Sequence, residues 1–435
     1  MRLLHCADLH LGRRRLDGRL PDSDFSAAFA RIVARAIEWP ADALLIAGDL
    51  FETAQVPPSA LRQAAQALVP LAKARIPVLA IEGNRDRPAS DGVSWLRYLA
   101  EEGLLTFLHT DFDAEIPSPQ PCDSKRNAGG FIDLGGVRFV GAGYPGAGAV
   151  RKLAALNAAL PASRLPAVLL VHTPAEGLAP GAADAESLAR LRNAFAYVAL
   201  GHGHHPFLVP DEAGRPWAVN PGSPENVRLA ESAFPGPRGW AEVELEPEAL
   251  PGLVLANCLV REASRRPVLN AEVDLSPFGN KYKGGAEAIA AAGLKAIKAL
   301  KAAPESIVRL ALRGDLNVSR VVIETATLQT RLAGEAQVAG VDLDVSGLRL
   351  FIGRSGAPKP IEVLPPEEVE RAVLAELLAA DAPPGLEARA DETSALYRNL
   401  RERVAAGASM DALCEALDAS PLTERVRDAR THELG

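Results

Sequence analysis

The chain has 435 residues, 48% of them hydrophobic and 23% charged, with a formal net charge of -8. That length provides for two or three domains with an ample core, and the composition excludes an intrinsically disordered chain. The acidic balance excludes a protein coated in basic surface, so any contact with nucleic acid has to come from a local patch. Cys6, Cys122, Cys258 and Cys414 show no short spacing, which argues against a disulfide framework or a zinc cluster and fits a reducing cytoplasm. No run approaches the roughly 20 apolar residues of a membrane span, and the apolar stretch before Cys6 is too short for a lipoprotein leader. The expectation is an unprocessed, soluble, cytoplasmic protein with no membrane contact.

Short apolar runs at 3–7, 43–47, 78–81, 137–141, 167–171, 196–200 and 217–219 predict strands. Between the first two, Phe25, Phe29, Ile32, Ala36 and Ile37 recur at helical intervals and predict a helix with one buried face. A second helix is predicted over 61–74, with Pro70 as a kink or break. Asp184 has the chemistry of an N-cap for a helix carrying Leu188, Leu191 and Phe195. Strands alternating with helices imply a layered α/β domain with buried strands. From about Pro267 the pattern changes to strand 268–275, helix 287–300, strand 307–312, helix 318–332 and strand 345–352, a small α+β unit. A Gly- and Pro-bearing linker over 353–366 leads to short amphipathic helices at 366–380, 386–405 and 410–417. The predicted domains are therefore 1–262, 263–356 and a linker with helical tail over 357–435.

The polar residues fall in register with these runs. Asp8 and His10 follow the first, Asp49 the second, Asn84 the third, His172 the fifth, and His202 and His204 the sixth. Layered α/β sheets bind ligands at the carboxyl ends of their strands, so these side chains converge if the sheet is ordinary. A carboxylate such as Asp49 can bridge two cations, imidazoles suit transition metals, and Asn84 offers a neutral oxygen. Two such ions about 3.5–4 Å apart hold a phosphate and lower the pKa of a water. Each signal alone is weak: an Asp-x-His after a strand is usually a capping pair, and Gly-Asn is an ordinary turn. All of them in this order, each at a strand end, make the coincidental reading untenable.

The series Asp8-Leu9-His10-Leu11-Gly12, Ala47-Gly48-Asp49-Leu50-Phe51, Glu82-Gly83-Asn84, Val171-His172-Thr173 and Leu200-Gly201-His202-Gly203-His204 resembles the calcineurin-like metallophosphoesterases. Within them it looks most like the SbcD-type DNA double-strand-break repair nucleases. The narrowing features are Leu11-Gly12, the stretch from Gly48 through Glu52-Thr53-Ala54 to Pro57-Pro58, and Asn220-Pro221-Gly222-Ser223. The resemblance implies a layered metallophosphoesterase sandwich with a smaller α+β capping domain and a helical C-terminal tail. It implies that Asp8, His10, Asp49 and His204 bind one divalent ion, usually Mn2+, and that Asp49, Asn84, His172 and His202 bind a second. It further implies hydrolysis of DNA phosphodiesters, as a double-strand exonuclease and single-strand endonuclease, and a homodimer.

One position departs from the family's pattern: Gly83-Asn84-Arg85-Asp86 stands where Gly-Asn-His-Asp is usual. Arginine does not donate a proton at neutral pH, but it holds phosphate oxygens bidentately and stabilises their charge. Arg85, with Asp49 the candidate catalytic pair, leaves two readings open: a slowed or re-tuned nuclease, and a metal- and DNA-binding subunit with little activity. His205 is a candidate replacement imidazole, against the commoner role of a surface or supporting histidine. Arg13, Arg14 and Arg15 follow the first motif closely and are candidate DNA-phosphate contacts, against the ordinary reading of a solvated charge triplet. Arg87, Arg97, Lys125 and Arg126 are weaker candidates of the same kind.

In SbcD-like proteins the α+β segment is a capping domain that helps select DNA shape, and the tail grips the coiled-coil base of an SbcC-type ABC ATPase. Leu374, Leu377, Leu378, Leu396, Tyr397 and Leu400 supply apolar faces suited to such a partner, or to folding back on the chain itself. A small-molecule phosphodiesterase or phosphatase is the remaining alternative, disfavoured because compact phosphatases need neither the capping segment nor the tail.

Overall fold

The computed structural model describes residues 1–16, 23–88, 94–112, 117–146, 149–173, 191–192, 194–210, 214–247, 253–276, 285–316, 325–350 and 390–405, with positions 413, 416, 417 and 420. The first three strands are β1 (Arg2–Cys6), β2 (Ala43–Ala47) and β3 (Val78–Ile81), joined in parallel and buried almost throughout. Continuous apolar runs are what a strand covered on both faces requires. Here Leu4, Cys6, Leu44, Ile46 and Ala80 pack against α1 (Ser23–Glu38) and α2 (Pro58–Ala74). Alternate residues Leu3, Ala43, Leu45, Ala47 and Leu79 face a second sheet and meet Phe139, Val168, Leu170 and Tyr197.

Seven strands form the first sheet, in the order β13-β12-β1-β2-β3-β4-β5. Its remaining members are β4 (Thr106–Leu108), β5 (Ala128–Gly129), β12 (Gly239–Pro247) and β13 (Leu253–Glu262). The second sheet runs β10-β11-β9-β8-β7-β6, from β6 (Phe131–Leu134), β7 (Val137–Gly143), β8 (Ala167–His172), β9 (Tyr197–Gly201), β10 (Phe207–Pro210) and β11 (Pro216–Asn220). Its outer face packs on α4 (Ala149–Ala159) through Leu153 and Leu156, while α3 (Trp95–Glu101) covers the first sheet. Helices outside two facing sheets make the predicted layered sandwich.

Three local expectations change. Pro70 lies inside an unbroken α2, on its exposed side, where the carbonyl that loses its partner is open to water. Ile37 is 40% exposed, because one step beyond the buried Ala36 turns a side chain by about 100°. The antiparallel pair β12–β13 extends the first sheet beyond β1. Its signal was a period of two, with Ala241, Val243 and Leu245 in the inter-sheet core and Glu242, Glu244 and Glu246 between them.

The later segment forms a three-stranded sheet, β14 (Val268–Asp274), β15 (Ile307–Leu316) and β16 (Gly340–Leu350), with α5 (Gly285–Ala299) and α6 (Thr325–Ala336). Residues Met1–Pro277, Lys283–Gly314 and Val321–Leu348 cluster as one compact unit. Ties such as Arg266 to Asp24 at 2.6 Å and Arg31 to the Ser264 carbonyl at 2.7 Å join the segments. The second unit comprises Phe278–Tyr282, Asp315–Arg320 and Arg349–Gly435, and contains α7 (Ala390–Ala405). The predicted cap at Asp184 with Leu188, the linker 353–366, the helix 366–380 and most of 410–417 lie outside the described residues. Among the described residues no helix is long and apolar enough to cross a membrane.

Candidate metal centre

The predicted ligands sit where the two sheets' strands end side by side. Asp8 and His10 leave β1, Asp49 leaves β2, Asn84 leaves β3, His172 closes β8, and His202 and His204 leave β9. The chain turns sharply at these points: φ is 55° at Asp8, 47° at His10, 51° at Asp49 and 91° at His202. Left-handed conformations at non-glycine residues cost about 1 kcal/mol or more each and persist only where the surroundings enforce them. Here they are enforced by bonds between loops, from Asp8 N–H to the Gly48 carbonyl (3.1 Å), His10 N–H to the Asp49 carbonyl (3.0 Å) and Leu11 N–H to the Leu50 carbonyl (2.9 Å). The sheets approach so closely that a Cβ on Gly201 would overlap the Ala47 carbonyl oxygen, and one on Gly48 would overlap the His172 ring.

The donor atoms then face one another. His10 Nε2 and His204 Nε2 are 3.1 Å apart. Asn84 Oδ1 lies 2.9 Å from His202 Nδ1 and 3.2 Å from His172 Nε2, and those two nitrogens are 3.3 Å apart. Asp49 Oδ2 is 3.5 Å from His172 Nε2 and 3.8 Å from His10 Nε2. Asp8, His10 and His204 form one cluster of metal-type donors, and Asp8, Asp49 and His172 a second. His172 Nδ1 donates to the Ala47 carbonyl at 2.8 Å, so in the neutral ring Nε2 is a bare lone pair directed at acceptor atoms. Lone pairs gathered without a donor call for a cation, and this donor set of carboxylates, imidazoles and an amide oxygen fits divalent transition ions.

Electrostatics carries the same message. Burial opposes charge on His172, but the Asp49 and Asp8 carboxylates outweigh it and raise its pKa to about 9. A field that holds a proton there is a field that favours any cation. His202 is pushed the other way, to about 4, by burial and by its neighbour His172. Asp8, buried at 1% exposure, is raised by desolvation and by Asp49, against the pull of His172. Its carboxylate accepts the His202 main-chain N–H at 3.1 Å, which fixes the double-histidine loop over β1.

A supporting layer escaped the sequence reading. His10 Nδ1 is held by Glu52 at 2.8 Å and His204 Nδ1 by Glu231 at 2.7 Å. Glu52 lies three residues after Asp49, so motif spacing gave a clue. Glu231 belongs to a short 3-10 helix, Leu229–Ala233, and nothing in its neighbourhood signals the role. Asp86 accepts main-chain N–H groups of Gly83, Phe51 and Leu50 at 2.9, 2.9 and 3.2 Å, joining the loops after β2 and β3. Burial, with the Asp49 charge, pushes its pKa up to about 8. Asn220 donates to the Gly203 carbonyl at 2.6 Å and pins the loop between His202 and His204. Tyr144 directly follows β7, whose end carries none of the predicted ligands. Its ring lies 5.8 Å from that of His202 and 6.2 Å from that of His172, walling that side of the centre.

Arg85 is exposed, and its main-chain N–H donates to Asp49 Oδ1 at 2.9 Å. Arg15 is the clearest departure from expectation. It is 5% exposed, lies between Asp24 and Glu225, and is a structural cation unavailable to a phosphate. Arg13 pairs with Glu52 at 2.5 Å, which leaves Arg14 as the exposed, solvent-facing member of the triplet. Arg13, Arg14 and Arg15 nevertheless line a cleft of about 440 Å³ with Arg228 and Arg309. His205 turns its ring edge to Phe234 at 5.0 Å. Arg87 contacts the Tyr144 carbonyl at 3.4 Å, Arg97 is exposed on α3, and Lys125 and Arg126 lie on the turn before edge strand β5.

The chain is thus a two-sheet sandwich flanked by helices, with carboxylates, imidazoles and an asparagine gathered at its strand ends. Residues 1–206 match the family described as calcineurin-like phosphoesterase. The chain is similar to proteins named DNA double-strand break repair protein Mre11 from three archaea. The identities are 38% over 108 residues for Archaeoglobus fulgidus (25% of this chain, 24% of that protein), 27% over 288 residues for Aeropyrum pernix (65% of each), and 30% over 278 residues for Haloferax volcanii (63% of this chain, 55% of that protein). In each case the match spans less than two thirds of the relative's length.

Proposed function

We infer that this chain is a two-metal phosphodiesterase that cuts DNA in double-strand-break repair, of the SbcD type. The observation that carries the reading is the facing of His10, His204, His172 and His202 nitrogens around Asp8, Asp49 and the Asn84 oxygen. In this assignment Asp8, His10, Asp49 and His204 hold one ion and Asp49, Asn84, His172 and His202 the other, with Mn2+ as the preferred metal. Ions held there supply Lewis acidity toward a phosphate and lower the pKa of water.

The chain's own residues do the rest. Asp8 and Asn220 hold the double-histidine loop, Asp86 ties the Asp49 and Asn84 loops, and the Arg85 guanidinium clamps phosphate oxygens without donating a proton. DNA as substrate is supported by the name the archaeal relatives carry and by the arginine-lined cleft, where exposed Arg14 and Arg228 suit backbone phosphates. Partners in this reading are an SbcC-type ABC ATPase bound by the tail and a second copy of the chain, in the cytoplasm.

Arg85 favours one alternative, a metal- and DNA-docking subunit that cuts slowly or not at all. Assays with Mn2+ on linear duplex DNA and on nucleotide phosphodiesters separate the possibilities. Cleavage of DNA supports the nuclease, binding without cleavage the docking subunit, and cleavage of nucleotides alone a small-molecule enzyme. Asp49→Asn and His172→Ala are expected to lower bound metal; full retention by elemental analysis rules out the ligand assignment.

A further inference from the structure

We propose that the two metal positions are unequal, with Glu52 and Glu231 making the Asp8/His10/His204 position the tighter one. The proposal rests on the two-metal reading and adds an order of loading to it. Both histidines of this position present Nε2 inward and give Nδ1 to a carboxylate, Glu52 at 2.8 Å and Glu231 at 2.7 Å. Each carboxylate is held in turn by an arginine, Arg13 at 2.5 Å and Arg238 at 3.4 Å. A carboxylate behind an imidazole fixes the ring's tautomer and orientation and raises the basicity of the opposite nitrogen.

The other position lacks this support. His172 gives Nδ1 to a neutral carbonyl, that of Ala47 at 2.8 Å. His202 presents Nδ1 rather than Nε2 to the centre, and Asn84 is uncharged. Asp8 groups with His10 and His204 and equally with Asp49 and His172, so the number of carboxylates does not separate the positions. On the assigned ligand sets, His204 of the first position is partly open to solvent, as are Asn84 and His202 of the second, and His172 is as buried as Asp8 and His10. The carboxylates behind both imidazoles of the first position, against a neutral carbonyl behind His172 and the uncharged Asn84, are what rank the positions.

The test is calorimetric titration of metal-stripped, full-length protein with Mn2+, read together with the electron paramagnetic resonance of the bound ion. Two steps are expected, the first at least about tenfold tighter and giving an uncoupled single-ion signal. Glu52→Gln and Glu231→Gln keep an acceptor oxygen at the histidine and remove only the charge. Each is expected to weaken the first step by about 10- to 100-fold while shifting the second much less. His172→Asn is expected to remove the weaker step and spare the tighter one, which tests the assignment without either glutamate variant. Two equal steps in the unaltered protein, equal weakening of both steps by the Gln variants, or loss of the tighter step in His172→Asn overturns the proposal and leaves the two-metal reading standing. Absence of any Mn2+ binding overturns that reading itself.

Discussion

The main-chain N–H of Arg85 donates to Asp49 Oδ1 at 2.9 Å, so residue 85 steadies the carboxylate assigned as the metal bridge whatever side chain it carries. This separates two properties that one position might have linked. In the proposed two-metal reading, the backbone at this position bears on metal binding and the side chain on proton or phosphate handling. Arg85→His keeps the N–H and supplies the missing imidazole. We expect turnover on DNA to rise at least tenfold, toward the roughly 10²- to 10⁴-fold a general acid provides, with metal content unchanged. Equal or lower turnover would show that Arg85 is not what limits the chemistry.

Gly201 is a second pressure point. Its missing Cβ leaves room for the Ala47 carbonyl, the His172 ring and the Ala7 methyl group, and two of those neighbours belong to buried strands that cannot withdraw. Gly201→Ala is expected to destabilise the fold by about 1–3 kcal/mol or more, read as a lower denaturant midpoint. Gly334 provides the control. It is exposed within α6 with nothing near a built Cβ, so Gly334→Ala should raise stability by about 0.5–1 kcal/mol.

His5 makes stability depend on pH. Its Nε2–H donates to the Leu200 carbonyl at 3.0 Å, which leaves Nδ1 to accept from the Tyr197 hydroxyl at 2.8 Å. Burial pushes its pKa down from 6.5 to about 3, against the raising effect of the Leu200 bond. Between those values the unfolded chain binds the proton and the folded one does not. The neutral ring's contribution is therefore complete above about pH 6.5 and falls as the pH drops toward 3, by at most about 1.4 kcal/mol per pH unit. Urea unfolding of metal-stripped protein should show the advantage over His5→Gln shrinking from pH 7 to pH 5. Parallel slopes for the two proteins would exclude this role.

The tail prediction concerns partners. α7 carries Leu396, Tyr397 and Leu400, with Tyr397 51% exposed, and such a face on a helix suits a hydrophobic groove. We expect co-purification with an ABC ATPase to be lost when residues after Pro366 are removed, with metal content retained. Persistence of the complex would place the partner's contact elsewhere.

Much of the site was readable before any fold was known, and the reason is geometric. Strands buried on both faces need largely apolar runs, so Ala43 to Ala47 and Val168 to Val171 mark themselves, and Leu3 to Cys6 does so despite His5. A polar residue that ends such a run has little to contribute to packing, which is why Asp8, Asp49 and His172 stood out. Short elements gave no such signal: β4 and β5 have three and two residues and owe their place to neighbouring strands. Tyr144 carries no signal in the sequence, since a tyrosine after a strand is ordinary; packing is what sets it against His202 and His172.

The arginine triplet marks the boundary between the two kinds of information. Arg13, Arg14 and Arg15 are equivalent as letters, and charge, motif order and candidate ligands are all fixed at that level by residue type and spacing. Their fates are not: Arg13 supports Glu52 behind His10, Arg14 faces solvent, and Arg15 is enclosed with Asp24 and Glu225. Glu231 reaches His204 across 27 positions of sequence in the same way. Sequence determined which chemistry the strand ends can perform, because periodicity and ligand type are local. Only the packing of sheets and loops decided which charges stand behind it, because a pairing between distant side chains exists only once the backbone between them is folded.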